Sequence, residues 1–186
     1  MELFDVVVFD VVVVAVWAML PAYVPNNVAV VAGGGAPIDG GRTWNGRRLL
    51  GDGKTWRGTL AGIAAGAVLA WGLNAVRPGF ADALDVSLPA FPLAVVLAMP
   101  AGAMLGDMAA SFLKRRTGRA RGASFPGVDQ LDFVVMALLF TSLSAPEWTL
   151  DTFTLPVLTV VVLVTPLLHL LTNVVAYVLG LKNEPW

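Results

Sequence analysis

The sequence predicts an all-α integral membrane protein with five transmembrane helices, the N-terminus outside and the C-terminus cytoplasmic. Three observations lead there. Of the 186 residues, 57% are hydrophobic and 13% charged, roughly half the charged share of a soluble domain. The apolar residues gather in runs near the roughly 20 residues that cross a bilayer. Ten of the twelve Lys and Arg residues sit in two stretches, 33–58 and 114–128, as they do in loops on one side of a membrane. The length fits a single domain, 1–186. There is no Cys, which excludes disulfides, thiolate catalysis and Cys-ligated metals. No basic residue precedes the first apolar run and no small-residue cleavage site follows it, which argues against a cleaved signal peptide.

The first span covers about 3–32 and is rich in Val. In lipid every backbone polar group must be paired locally, so helix prevails over the β-preference of Val. Asp5 reads as interfacial. Asp10 lies deeper, where a carboxyl is costly, so it faces protein or water, either at the site or as a structural contact. Pro21-Ala-Tyr-Val-Pro25-Asn26-Asn27 is expected to bend the chain. Residues 33–57 form a long polar loop rich in Gly, and loops of that length are usually functional or disordered. Trp44 and Trp56 argue for order at the membrane interface. The second span covers about 58–76, where Gly58, Gly62, Gly66 and Ala70 make a small-residue stripe for close helix packing. A short loop, 77–89, carries Arg77, Asp82 and Asp85.

The third span covers about 90–113, with Pro100 as an expected kink. The basic loop 114–129 follows, then a short fourth span at about 130–145, its start tucked into protein or a wet cavity. A loop at 146–152 carries Glu147 and Asp151. The fifth span, about 153–181, is interrupted by Pro156 and Pro166 and holds His169, Thr172 and Asn173. The positive-inside rule places loops 33–57 and 114–129 in the cytoplasm, and the acidic loops alternate with them. The implied setting is a multi-pass cell-membrane protein whose polar site faces the cytoplasm.

The chemistry concentrates in residues 106–132. Asp107, Ser111 and Lys114 are spaced i, i+4, i+7 and share a helix face. Asp129 and Asp132 stand at a helix start, where the dipole favours the ionised form. Lys114, Arg115, Arg116, Arg119 and Arg121 lie between them, and the loop 33–57 adds Asp39, Asp52, Lys54 and Arg57. Carboxylates are hard ligands that suit Mg²⁺, which takes substrate phosphates as further ligands. Lys and Arg beside it bind the remaining phosphate charge. The mixture points to metal-assisted phosphoryl or nucleotidyl transfer at a membrane surface. Helix-cap carboxylates and cations that bind anionic headgroups are the simpler reading. That reading leaves Asp107, well inside the third span, without a reason. Gly53-Lys54-Thr55 imitates the end of a P-loop, but position 48 is Arg where that motif needs Gly.

Ser111-Phe-Leu-Lys114-Arg115 followed by Pro126-Gly127-Val-Asp129-Gln-Leu-Asp132 resembles the signature of the CDP-diacylglycerol synthases. These are membrane cytidylyltransferases that activate phosphatidate with CTP. Their pattern runs Ser-x-x-Lys-Arg, a spacer, then Pro-Gly-x-Gly-Gly-x-x-Asp-Arg-x-Asp. This chain departs from it: it lacks the His-Gly-Gly element, it has Arg119-Ala120 where Lys-Asp is common, and Gln130 stands in place of Arg. Together with Asn45-Gly-Arg-Arg-Leu-Leu-Gly-Asp52-Gly-Lys54-Thr-Trp-Arg57-Gly and the closing Leu-Lys182-x-x-Pro-Trp186, those departures resemble the archaeal branch, the CDP-archaeol synthases.

The resemblance spans essentially the whole chain. It implies that CTP and 2,3-bis-O-geranylgeranylglycerol 1-phosphate give CDP-archaeol and pyrophosphate, with Mg²⁺. It further implies Asp107, Asp129 and Asp132 as metal ligands, with Lys114 beside them. Asp52, Lys54, Arg57, Ser111, Arg115 and Arg116 bind substrate, and Asn173 reaches the nucleotide or lipid head. His169 reads either as reaching the same nucleotide or lipid head or as a hydrogen-bonded core residue. Two other readings compete: a CDP-diacylglycerol synthase acting on ester phosphatidate, and a non-catalytic transporter or lipid-headgroup-binding membrane protein. The pattern of the CDP-alcohol phosphotransferases, Asp-Gly-x-x-Ala-Arg with further Asp at set spacing, is missing. Nothing in the sequence calls for nucleic acid.

Overall fold

The computed structural model describes residues 2–119, 125 and 127–181, with side chains from residue 7 onward. The side chain of Asp5, and Arg121, Pro126 and the Lys182–Trp186 tail, lie outside the described residues. The chain is mostly helical. Its elements are α1 (Glu2–Ala32), β1 (Thr43–Trp44), β2 (Arg47–Arg48), α2 (Trp56–Leu84), α3 (Leu93–Arg116), α4 (Val128–Ser144), α5 (Pro146–Thr152) and α6 (Leu155–Val178). Four segments are long and apolar enough to cross a membrane: Val7–Ala32, Trp56–Leu84, Leu93–Arg116 and Leu155–Val178. At 17 residues, α4 is shorter than the usual span.

Several sequence expectations give way to longer helices. Residues 21–27 do not interrupt the first helix; α1 runs through Pro21 and Pro25 to Ala32. Proline is tolerated inside buried membrane helices because neighbours compensate for the lost backbone bond. The expected loop 77–89 is helical as far as Leu84, and α2 ends only where Asp85 adopts a left-handed conformation, φ 54°. Arg77 then donates to Leu88 O at 3.2 Å, and Asn74 brackets Phe91, donating to its carbonyl at 2.8 Å and accepting from its amide at 2.7 Å. Arg77 therefore anchors a turn. Residues 146–152 form α5 rather than a loop. Pro156 does not break the last helix but lies in its first turn, where a missing N–H costs nothing.

Two close helix pairs position the site. The stripe Gly58, Gly62, Gly66 and Ala70 on α2 is buried. A Cβ at Gly62 would meet Pro25 O at 2.6 Å, and one at Gly66 would meet Pro21 O at 2.7 Å, so α1 and α2 touch along their backbones. The sequence reading missed the second pair. A Cβ at Gly102 would meet Ala137 Cα at 2.9 Å, and one at Gly106 would meet Phe133 Cα at 2.7 Å. Lipid tails are as apolar as Leu, so such backbone contact, rather than water exclusion, favours helix association. It sets Asp107 of α3 beside the first turns of α4. The core between the pairs is filled by Ala18, Met19, Val95, Met99, Ala137 and Val161, all 1% exposed or less.

Candidate active site

A cavity of about 600 Å³ opens where α1, α3, α4 and α6 meet the loop before α2. Its polar lining includes Asp52, Lys54, Asp107, Ser111, Lys114, Arg115, Asp129 and Asp132. Leu20, Tyr23, Val24, Val30 and Leu168 also line it, with His169, Thr172 and Asn173 from α6. Residues separated by more than a hundred positions in sequence thus share one space. Arg57 and Arg116 of the sequence-predicted set, and Asp10, do not line it.

Local structure explains each placement. The last three turns of α3 carry Asp107, Ser111 and Lys114 down one face. The first turn of α4 carries Asp129, and Gln130 accepts a hydrogen bond from the Gly127 amide there. Gln130 thus satisfies one of the free donors at a helix start. That gives a local use to the residue that departs from the bacterial pattern. Lys54 immediately precedes Thr55, whose hydroxyl caps α2 by accepting from Gly58 N at 3.2 Å. Ile38 N donates to Lys54 O at 2.8 Å and Trp56 N to Ala36 O at 3.2 Å, so the two ends of the loop are laced together at its neck.

The two lysines and two of the carboxylates form crossed pairs. Lys54 Nζ is bonded to the Asp107 carboxylate, tying the loop to α3. Lys114 Nζ lies 2.7 Å from the Asp129 carboxylate, tying α3 to α4. Asp129 also accepts from Phe125 N at 2.9 Å. Asp132 accepts from Phe133 N at 2.5 Å. His169 and Asn173 are hydrogen-bonded to each other, 3.1 Å between Nδ2 and Nδ1.

Asp39 is the organiser of the loop. Its side chain is 1% exposed. It accepts from Arg48 at 2.6 and 3.2 Å, from Leu50 N and Gly51 N at 3.0 Å, and from Gly41 N at 3.1 Å. The Arg48 guanidinium holds the Asp39 carboxyl well below the usual carboxylate range; burial opposes this and the Gly51, Leu50 and Gly41 amides assist it. Asp39 and Asp52 together hold Arg48 above its ordinary value.

Arg116 clamps the hairpin from the other side. It donates to Trp44 O at 2.8 Å, Arg47 O at 3.1 Å and Arg48 O at 2.8 Å, and its guanidinium lies 5.3 Å from the Trp44 and Phe112 ring centroids. Arg57 donates to Ala32 O at 2.8 Å and to Gly33 O, closing the end of α1. Both arginines donate to backbone carbonyls, a destination that residue type does not reveal.

The sequence reading also missed Tyr23 and Asn26 of the cavity wall. Tyr23 Oη pairs with Thr165 Oγ1 at 2.8 Å, and the buried Asn26 Oδ1 has no protein donor. The available signal was the polar Asn26-Asn27 step inside an apolar helix, which reads equally well as a bend.

The arrangement gathers carboxylates, ammonium groups and an apolar channel, which suits a phosphorylated lipid and a polyphosphate together. The CarS-like family, described as CDP-archaeol synthase, matches residues 8–186. The chain belongs to the CDP-archaeol synthase family. The CDP-archaeol synthase of Halobacterium salinarum is 70% identical over 175 residues, covering 94% of this chain and 97% of that one. That of Natronomonas pharaonis is 59% identical, with 96% and 100% covered, and that of Methanosarcina acetivorans 52%, with 90% and 100% covered. A solved intramembrane enzyme for archaeal membrane lipid biosynthesis superposes with a TM-score of 0.68 at 40% identity, over 86% of this chain and 92% of that one. Membership of the CDP-archaeol synthase family agrees with the motif resemblance.

The site's fit to Mg²⁺ follows from its donors. Four carboxylates, Asp52, Asp107, Asp129 and Asp132, line one cavity, and Mg²⁺ uses one or two protein carboxylates together with substrate phosphates and water. Among the described residues no three of His, Cys, Asp and Glu are grouped as a ready-made metal site. Asp107 and Asp129 face lysines instead. The chemistry of the donors therefore fits a metal that arrives with a phosphate ligand better than one held by protein alone.

Proposed function

We propose that the chain transfers the cytidylyl group of CTP to the phosphate of 2,3-bis-O-geranylgeranylglycerol 1-phosphate, giving CDP-archaeol and pyrophosphate. One observation carries the reading: the carboxylate and lysine cluster and an apolar, helix-walled channel belong to the same cavity. A soluble nucleotide and a membrane lipid need such a shared space.

A lipid phosphate oxygen attacks the α-phosphorus of CTP. A new P–O bond forms as the bond to the α,β-bridging oxygen breaks, and the electron pair leaves with pyrophosphate. The attacking phosphate is already ionised near neutral pH, so no strong base is required. The barrier is electrostatic, since two anions must meet and charge must be neutralised on the leaving group. Lys54 and Lys114 turn from their carboxylates to phosphate oxygens, and Arg115 and Ser111 orient the nucleotide from the same face of α3. Asp107 and Asp129, released from the lysines, would hold Mg²⁺ with Asp132. When bound, the metal neutralises phosphate charge and fixes phosphate geometry. Asp52 steadies Arg48 and with it the loop that carries Lys54. Asn173, oriented by His169, meets the glycerol head or nucleotide, and the prenyl chains lie along the apolar wall between α1 and α6.

In the same reading the protein lies in the cell membrane with five spans. The fifth is α4, whose start is half-buried and opens on the cavity. The N-terminus is outside, the C-terminus inside, and the cavity faces the cytoplasm, where CTP is. The test is a purified-protein assay with labelled CTP, Mg²⁺ and ether-linked or ester-linked glycerol phosphate lipids. Labelled CDP-lipid with the ether substrate is expected. Product from the ester lipid alone points to a CDP-diacylglycerol synthase, and no labelled lipid from either acceptor removes the enzyme reading.

A further inference from the structure

A second pocket, of about 340 Å³, lies beside the main cavity and is lined by Arg47, Arg48, Arg115 and Arg119, with Asp52 as the one carboxylate among its described residues. Gly51, Asp52 and Arg115 line both spaces, so the two share a wall. Four positive charges face one negative charge there. We propose that this pocket receives the diphosphate released by the reaction and is the route by which it leaves. The inference rests on the cytidylyl-transfer reading above.

Arg47 and Arg115 are only partly engaged by the protein. A guanidinium carries five N–H donors. Arg47 uses one on Arg116 O at 3.4 Å, and Arg115 uses one on Arg119 O at 2.9 Å. Arg48 is engaged by Asp39 and Asp52 and forms the fixed wall. Arg119 lies with its guanidinium 4.1 Å from the Phe125 ring centroid, which orients it. Gly118, at φ +78°, makes the junction possible: a Cβ there would meet Arg47 Nη1 at 2.9 Å. Planar guanidinium forks match the paired oxygens of phosphate groups. At about 30 Å³ per water, the pocket has room for roughly ten water-sized groups. A diphosphate has nine non-hydrogen atoms.

Position selects the leaving group over other anions. The carboxylates and Lys54 occupy the main cavity, so phosphoryl transfer takes place on that side of the shared wall. A diphosphate crossing the wall past Arg115 moves from two lysines to four guanidinium groups and clears the cavity for the nucleotide-bearing lipid product.

The experiment uses the full chain in nanodiscs and pyrophosphate as the probe. Isothermal titration should give saturable binding of pyrophosphate to the wild type. In Arg47→Gln/Arg119→Gln that affinity, and the inhibition constant for pyrophosphate in the CTP assay, should weaken about tenfold or more, the scale of one lost charge-assisted contact. The initial-rate KM for CTP should stay within about twofold, the inference being confined to product release. Arg47→Lys/Arg119→Lys, which keeps the charge, should recover part of the affinity and guards against a folding defect in the glutamine pair. Absence of pyrophosphate binding to the wild type overturns the proposal. So does a parallel rise in KM for CTP, which makes the pocket part of the nucleotide site. Unaltered pyrophosphate affinity combined with a lost dependence on anionic nanodisc lipid overturns it too, in favour of a headgroup site. If the wild type forms no CDP-lipid, the function fails; if turnover is normal and pyrophosphate inhibition is unchanged in the variants, the exit site alone fails.

Discussion

Lys54 reaches across 53 positions of sequence to bond the carboxylate of Asp107. The pair fastens the polar loop before α2 to the third helix. It places the ammonium group where a phosphate is expected and the carboxylate where a metal is expected. Lys114 and Asp129 repeat the device between α3 and α4 at 2.7 Å.

Lys54→Gln should lower kcat/KM for CTP by about a hundredfold, on the scale of two to three kcal/mol for a hydrogen bond to a charged group. Asp107 loses its partner in the same variant, so the loop should become more open to protease. Steady-state rates with labelled CTP and a digestion time course check both effects. Near-normal rates would remove Lys54 from the phosphate-binding set.

Asp129→Asn should abolish turnover while the protein remains monodisperse and helical in detergent. The amide still accepts from Phe125 N and Lys114, so the fold is kept, whereas hard anionic coordination is lost. Manganese binding in the presence of CTP, followed by electron paramagnetic resonance, should fall with activity. Retained activity would refute the metal assignment of this residue.

Acid should loosen the loop through Asp39. The folded-state pKa of this carboxyl is depressed. Its stabilising contribution is therefore complete above the unfolded value of about 3.9 and is lost as pH falls from there towards the folded value. Protease cleavage within residues 33–55 should be slow at neutral pH and at about pH 5, and should accelerate below about pH 4. Asp39→Asn should be cleaved quickly throughout, and resistance equal to wild type at neutral pH would contradict the role given to Asp39.

Gly106→Leu should separate α3 from α4, because even its Cβ would lie 2.7 Å from Phe133 Cα. Overpacking of this kind costs about 1–3 kcal/mol. Here it also displaces Asp107 from Asp129 and Asp132. The thermal midpoint in detergent and the CTP turnover should both drop. A variant that loses neither would show that the close approach is dispensable.

The absence of cysteine allows a clean test of the five-span arrangement. Arg42→Cys and Asp82→Cys, both at exposed positions, should react with an impermeant maleimide from opposite faces of sealed vesicles, Asp82→Cys from the outside. Labelling of both from one face would leave α2 without a crossing.

Much of the candidate site was legible because charge is costly inside apolar sequence. Asp107, Lys114, Asp129 and Asp132 announce themselves by position, and the structure brings all four to one cavity with Asp52, Lys54, Ser111, Arg115 and Asn173. Arg57 and Arg116 have the same residue type and the same loop context, yet their donors go to backbone carbonyls. Asp39 was noticed as charge but not as the hub it is. Its value lies in five short contacts that exist only once the loop has closed.

Sequence by itself determined the helical character, the apolar segments, the two basic stretches and the motif that carries the family. These follow from composition and period, which any backbone in lipid must obey. Tertiary structure decided where the helices end, that Gly102 and Gly106 bring α4 against α3, that Asn26 and Tyr23 line the cavity, and which cations line it with them. Those outcomes depend on which backbone groups meet across distant segments, and no local run of residues specifies that meeting.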